Sequence, residues 1–431
     1  MELYEILTLT ISFIVLLAIG VPIAYSIGIA SVITLVASMD SLPAVTTMAQ
    51  RMATGLDSFS LLAIPFFVLA GQLMNRGGIA ARLVDFAKVL VGMFPGGLAF
   101  VNILACILFG AISGSAAAAA SAIGGFMGQR MEKEGYSKSF SAAVNITSAT
   151  TGLIIPPSNV LIVYSLASGG VSIAALFLAG YIPGIIMGVS LMAVAAFYAH
   201  KKKYPTGEVP TFKEIVKKFL DAIPSLFLLF VVIGGIVAGV FTATEASAVA
   251  VLYTFVLALV YKEIKIKDMS KILLDSVSTT AIVMLLIATS MGMSWVMSYE
   301  SLPQAVTEVI LSVSDNKIIV LLLINLILLF VGIFMDITPA VLVFTPIFLP
   351  VVTNLGMDPT HFGIMMVLNL CIGLCTPPVG SLLFIGCSVS NVSIGQMIKP
   401  LMPLFIAMII SLMVVTYLPE LSLWLPNLFG L

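Results

Sequence analysis

Gly152-Leu153-Ile154-Ile155-Pro156-Pro157-Ser158-Asn159 interrupts one apolar stretch, and Gly373-Leu374-Cys375-Thr376-Pro377-Pro378-Val379-Gly380 interrupts another 221 residues later. Proline lacks the backbone donor that continues the i→i−4 ladder, so each pair ends a helix inside a segment otherwise apolar enough to go on. Each interruption follows a second apolar segment broken by small or polar residues. In the first half this is Gly110-Ala111-Ile112-Ser113-Gly114-Ser115, and in the second Gly332-Ile333-Phe334-Met335-Asp336-Ile337-Thr338-Pro339. Interrupted hydrophobic segments at corresponding places in two halves point to a transporter-type binding site.

The surrounding composition sets the solvent. The chain is 60% hydrophobic and 9% charged, against about 25% charged in a soluble domain, so it reads as an all-α polytopic membrane protein in a lipid bilayer. A net charge of −1 gives no reason to expect a nucleic-acid partner. Cys371 and Cys375 have metal-ligand spacing but lie, like Cys106 and Cys387, in apolar context, which favours small packing residues. The N-terminal apolar run has no basic flank and no Ala-x-Ala exit, so it reads as a span and not a cleaved signal.

A membrane span needs about 20 apolar residues. In that unit the first half gives spans at Leu7–Ile19, Val21–Ser38 and Leu61–Met74. A helical hairpin follows at about 98–128, then a broken helix at 140–167 and a full span at Val171–His200. The second half repeats the order: Ala222–Phe241, Glu245–Tyr261, Ile272–Met297, a hairpin at 318–352, a broken helix at 362–387, and Leu401–Leu418. The expected plan is two repeats, 1–200 and 222–431, joined by a charged linker at 201–221, each with five crossings plus one re-entrant hairpin. An odd number of crossings per repeat makes the two inverted. On this topology 17 of the 19 Lys and Arg residues fall on one side, leaving Arg51 and Lys317 on the other. The lysine-rich side is then cytoplasmic and both termini periplasmic. Gly77–Phe94 and Ser301–Ser314 have helical apolar spacing with a polar face and occupy equivalent places, as two interfacial braces would.

Irregular backbone at membrane depth must be buried in protein or line a wet cavity. Carbonyls freed by proline, with Ser and Thr hydroxyls, form an oxygen cage suited to a hard monovalent cation. Half-helix N-termini suit a carboxylate. This pairs Ser113, Gly114 and Ser115 with Pro156, Pro157, Ser158 and Asn159 as one site, and Asp336, Thr338 and Pro339 with Thr376, Pro377 and Gly380 as the other. Asp336 is an acid at mid-span depth with no core Lys or Arg to pair with, and a charge there costs about 2.5–3.5 kcal/mol unless a cation or a proton offsets it. Glu245 reads as a first-turn acid at a helix start. His361, after Pro359-Thr360, is expected to be exposed. No Walker A motif, metalloprotease motif, second facing Asp or Arg-rich span is present. Nucleotide-driven transport, intramembrane proteolysis and voltage sensing therefore have no support, and the chain is not expected to be an enzyme.

At these motifs the chain resembles the large membrane subunit of the TRAP (tripartite ATP-independent periplasmic) transporters. The resemblance runs through Ser58-Phe59-Ser60-Leu61-Leu62-Ala63-Ile64-Pro65, Ser113-Gly114-Ser115, Ile155-Pro156-Pro157-Ser158, Phe241-Thr242-Ala243-Thr244-Glu245, Met335-Asp336-Ile337-Thr338-Pro339 and Thr376-Pro377-Pro378. It implies a Na⁺-coupled, elevator-type importer of organic acid anions such as C4-dicarboxylates, sialic acid or other sugar and keto acids. The elevator plan divides the chain into scaffold and transport domains in a bacterial inner membrane. It also implies a small four-helix membrane subunit and a periplasmic substrate-binding protein as partners. Carried onto this chain, the sodium positions are Ser113, Gly114, Ser115, Pro156, Gly332, Asp336, Thr338, Thr376, Pro377 and Gly380, for two or more ions. The substrate positions are Ser115, Ser158, Asn159, Thr338, Gly380 and Ser381. Ala116–Ala120 stands where relatives often carry an acid or hydroxyl. A self-sufficient divalent-anion/Na⁺ symporter shares the plan and is the alternative.

Overall fold

The computed structural model describes residues 2–431 except Glu208 and Asp315, and no side chain is described for Glu2, Leu3 or Ile112. The first half runs α1 (Glu2–Ala18), α2 (Ile23–Ser38), α3 (Ser41–Gly55), a 3-10 turn (Phe59–Leu62), α4 (Ala63–Arg76), α5 (Ile79–Val91), α6 (Gly97–Ser113), α7 (Ala116–Lys133), α8 (Lys138–Thr151), α9 (Asn159–Ala167) and α10 (Ile173–Lys202). The second runs α11 (Phe212–Val237), α12 (Ala243–Val260), α13 (Ile266–Tyr299), α14 (Leu302–Val313), α15 (Lys317–Phe334), α16 (Ile337–Asn354), α17 (Pro359–Gly373), α18 (Ser381–Ser390), α19 (Ile394–Tyr417) and α20 (Glu420–Leu428). Among the described residues, eight helical segments are long and apolar enough to cross a membrane. The protein is all-helical and membrane-embedded. Pieces such as α8, with 14 residues, rise only about 21 Å at 1.5 Å per residue and reach across only with their continuation.

The order of elements repeats. Hairpin 1 is α6 and α7; hairpin 2 is α15 and α16. The first tip turns because Gly114 adopts φ +62°, a left-handed conformation that favours glycine, and its N–H bonds to Gly110 O at 2.8 Å. Ser115 then caps α7, its Oγ accepting the Ala118 N–H at 3.2 Å. The second tip uses an acid in the same position: Asp336 caps α16, accepting the Ile337 N–H at 2.9 Å. The broken helices are α8/α9, interrupted over 152–158, and α17/α18, interrupted over 374–380. Each contains a cis Pro-Pro bond.

Each hairpin meets its broken helix at a flush glycine pair and through a buried asparagine amide. Gly110 faces Gly152 so closely that a Cβ on Gly152 would stand 2.5 Å from the Gly110 Cα. Gly332 faces Gly373 likewise, at 2.6 Å. One helical stretch away, Asn145 Nδ2 donates to Ala120 O at 2.7 Å beside Asn102, and Asn369 Nδ2 donates to Asn325 Oδ1 at 2.8 Å. All four asparagines are essentially fully buried, where an unpaired amide would cost a few kcal/mol, and the Asn145 and Asn369 amides, which reach across to the hairpins, fix the depth at which hairpin and broken helix meet.

The helices sort into two groups that also pack on each other directly, α13 on α16 and α4 on α6. α4 lies on α12 and α13, and α2 and α3 lie on α13. The hairpins, broken helices, α10 and α19 pack with one another. The amphipathic α5 and α14 run between the groups, α5 against α6 and α11, and α14 against α13 and α16. Several features differ from the sequence expectation. The charged connection is shorter than 201–221, since α10 continues to Lys202 and α11 starts at Phe212 behind a Thr211/Glu214 capping box. α3 and α20 are additional helices outside the repeat. His361 is 2% exposed, not an open loop residue: Asp358 caps α17, placing His361 in its first turn with Nε2 3.3 Å from Thr416 O.

The close glycine contact yields a direct prediction. Gly152→Val forces three carbons into backbone contact and should cost at least the 1–3 kcal/mol typical of overpacking, visible as a lower melting temperature of the detergent-purified protein. Gly125→Ala, inside α7 where a Cβ meets open space, should leave it unchanged or slightly raised.

Candidate functional site

The two tips and the two helix breaks enclose one cavity of about 380 Å³. Its four defining residues are Ala116, Asn159, Ile337 and Ser381, which are the first residues of α7, α9, α16 and α18. Four half-helices therefore aim their N-termini at the same space. Each brings the positive end of a helix dipole, about half a charge, although Ser115, Asp336 and Leu374 O already accept the Ala118, Ile337 and Leu382 N–H groups, so positive potential reaches the cavity with no Lys or Arg among its described lining residues. Asp336, exposed to the cavity, is the one ionisable side chain in the lining among the described residues.

The opposite wall is built by unbroken helices. Ile64, Val68, Gly71, Gln72 and Asn75 come from α4; Thr279 and Val283 come from α13. Gly71 sets the approach, since a Cβ there would lie 2.8 Å from Ser113 O at the first tip. Gln72, Asn75 and Thr279 were not among the sequence candidates. Two amides three residues apart in an apolar segment were the available signal.

The positions proposed from sequence divide into two sets. Ser113, Gly114, Ser115, Asn159, Asp336, Thr338 and Ser381 line the cavity. Ser158, Pro156, Gly332, Thr376, Pro377 and Gly380 lie outside its lining. Ser158 is fully buried directly before α9, and Gly332 is spent on the Gly373 contact. Gly380 is compressed against Leu374, where a Cβ would meet Leu374 O at 2.5 Å.

The donor set fits a hard cation at the first break. Among the described residues Ser158 Oγ and Asn159 Oδ1 are buried with no hydrogen-bond partner; Asn159 shares the cavity lining with Ser113 and Ser115, and Ser158 lies directly behind it in sequence. All are oxygen donors, the type that alkali and alkaline-earth cations take. At the second break, Asp336 supplies a carboxylate. Thr376 Oγ1 donates to Ile372 O at 2.9 Å, which leaves its lone pairs free to accept. Glu245 plays no part here: it closes a capping box with Thr242, accepting the Thr242 N–H at 2.8 Å.

The sequence matches the family profile described as tripartite ATP-independent periplasmic transporter, DctM component, over residues 10–421. An uncharacterized protein, YgiK of Salmonella typhimurium, is 57% identical over 99% of this chain and 98% of its own length. The C4-dicarboxylate TRAP transporter large permease protein DctM of Rhodobacter capsulatus is 37% identical over 97% and 98%. The sialic acid TRAP transporter large permease protein SiaM of Vibrio cholerae is 38% identical over 96% of each chain. Among solved structures, the YdaH transporter of Alcanivorax borkumensis superposes with a TM-score of 0.66 at 12% identity, over 90% of this chain and 89% of that one, which is a likeness of fold.

An unpartnered buried hydroxyl costs roughly 1–3 kcal/mol in the free protein. Ser158→Ala should therefore leave the melting temperature in sodium-free potassium buffer unchanged or raised. A clear drop there would show that the hydroxyl already has a partner.

Proposed function

The chain belongs to the DctM family of tripartite ATP-independent periplasmic transporters, and from that premise we propose that this large permease subunit imports an organic acid anion coupled to sodium, by an elevator movement. Its relatives are permease subunits, not enzymes. The observation that carries the reading is the convergence of four helix N-termini on one cavity that also holds a single acid. The N-termini suit the carboxylate shared by C4-dicarboxylates and sialic acid, the substrates named for the two relatives. Ser115, Asn159, Thr338 and Ser381 are placed to hydrogen-bond it, and sodium would lend the positive charge that makes Asp336 compatible with an anion beside it. Ser113, Ser115, Ser158 and Asn159 would hold one ion, and Asp336, Thr338 and Thr376 another.

The sorting of helices supports the elevator. Hairpins, broken helices, α10 and α19 would move as a transport domain past the α2–α4, α12 and α13 scaffold, with α5 and α14 as arms between them. In this reading the subunit sits in the bacterial inner membrane, and the lysine and arginine asymmetry supports a cytoplasmic basic side with both termini periplasmic. On that orientation the repeats, 1–200 and 222–431, are inverted. The wall residues run along α4 from Ile64 to Asn75, beside Arg76 at its basic end, and along the middle of α13, and on that orientation we read the cavity as opening toward the cytoplasm. A small four-helix membrane subunit and a periplasmic binding protein would complete the system, as the word tripartite implies.

The function is tested in proteoliposomes holding this subunit and its co-purified small membrane partner, with the binding protein outside and labelled succinate or sialic acid as probes. Uptake of one probe should need both the binding protein and an inward sodium gradient. Uptake without the binding protein would favour the self-sufficient symporter instead. In the purified protein, sodium should raise the melting temperature relative to potassium, since a ligand that binds only the folded state stabilises it. Asp336→Asn should reduce that shift by at least half, and an undiminished shift would remove Asp336 from the sodium sites.

A further inference from the structure

Two stripes of side chains that wall the cavity continue past it and end in an ion pair. On α4 the cavity-lining Ile64, Val68 and Gln72 recur every fourth residue, and the next in the series is Arg76. On α13, Thr279 and Val283 line the cavity, and the residue one step earlier in their series is Asp275. Residues four apart share a helix face, so both stripes reach one turn beyond the cavity. There Arg76 Nη2 meets Asp275 Oδ2 at 2.5 Å, with the two side chains 32% and 41% exposed. The pair bridges the two wall helices at the end of the cavity nearer the lysine-rich side.

We infer that Arg76 selects for anions at the cytoplasmic mouth of the cavity, receiving the substrate carboxylate as it leaves the helix N-termini. The inference rests on the inward-facing transporter reading above. Among the described residues the cavity lining contains no cation and one acid, so a departing carboxylate leaves partial positive charge behind and has Asp336 at its back. The guanidinium at the end of both stripes is the next positive group on the way out. It carries five donors in a planar fork that matches a carboxylate, and Asp275 engages it through one nitrogen. Asp275 holds the fork across the gap between α4 and α13, and its own charge keeps the mouth from trapping the anion permanently. The other ion pairs of Arg and Lys with Asp or Glu, at Asp85 and Glu132, lie on α5 and α7 and not on these stripes.

A pair that only braced α4 to α13 would be indifferent to the charge of what passes. The test uses the full chain with Cys387→Ser, to remove the one cysteine that is not buried, and Thr338→Cys as a reporter in the cavity. In inside-out membrane vesicles at low ionic strength, the reporter is modified with an anionic sulfonatoethyl and a cationic trimethylammonioethyl methanethiosulfonate, and the ratio of the two rates is taken. Arg76→Gln should lower the anionic-to-cationic ratio by about fivefold or more. Asp275→Asn should raise it, and Arg76→Lys should keep most of it, with all differences shrinking in high salt. Equal slowing of both reagents in Arg76→Gln and Asp275→Asn, or an unmoved ratio, overturns the inference in favour of a brace. A reporter that reacts with neither reagent from this side in the parent overturns it too, by removing the cytoplasmic opening. The sodium-dependent melting shift would then show whether the carrier reading itself survives.

Discussion

Backbone N–H and C=O groups cannot be left unpaired in hydrocarbon, and the architecture follows from that constraint. Four helices of this chain stop partway through their apolar segments. Each stop exposes unpaired backbone groups that lipid cannot satisfy, so the stops must meet one another around a polar space. The two hairpin tips and two Pro-Pro breaks do so in one cavity. The flush glycine contacts, Gly110 on Gly152 and Gly332 on Gly373, bring each hairpin close enough to its broken helix to make that meeting possible. The buried Asn145 and Asn369 amides, bonded to Ala120 O and Asn325 Oδ1, lock the depth at which it happens.

The two halves share this frame but not its chemistry. Hairpin 1 offers serine hydroxyls at its tip; hairpin 2 offers a carboxylate in the same capping role. The first candidate site thus offers neutral oxygens, two of which, on Ser158 and Asn159, have no partner among the described residues. The second offers Asp336, the only acid in the cavity lining among the described residues. A neutral tip and a charged tip lining one space, with four helix N-termini directed at it, suit the proposed binding of a cation and an anion near each other. This division matches a cavity in which cation and carboxylate bind as a set.

The parts of this arrangement that break a hydrophobic pattern could be read directly from residues. Pro156-Pro157, Pro377-Pro378, Ser113-Gly114-Ser115 and Asp336 stand out because nothing polar or helix-breaking belongs at those depths without a reason. The amphipathic α5 and α14 were visible in their apolar spacing. Features that continue a pattern were not visible. Gln72, Asn75 and Thr279 sit on unbroken helices, where no kink marks them, yet they form the fixed wall of the cavity. α3 is too polar to count as a span, and its place is set by packing on α13. His361 sits where Asp358 and Pro359 read equally as a turn or as a helix start. Its burial is decided by α19, whose Thr416 carbonyl lies against the ring, and that contact spans 55 residues of sequence.

The claim that these paired breaks form an oxygen-lined ion site is tested most directly by an experimental structure of the protein in lipid nanodiscs, determined in sodium and again in potassium at a resolution that shows ordered ions. The account predicts density within coordination distance of Ser158 Oγ and Asn159 Oδ1 in sodium and its loss in potassium. Identical, empty surroundings at those two oxygens in both maps, or apolar side chains filling the space between the four helix N-termini, would contradict it.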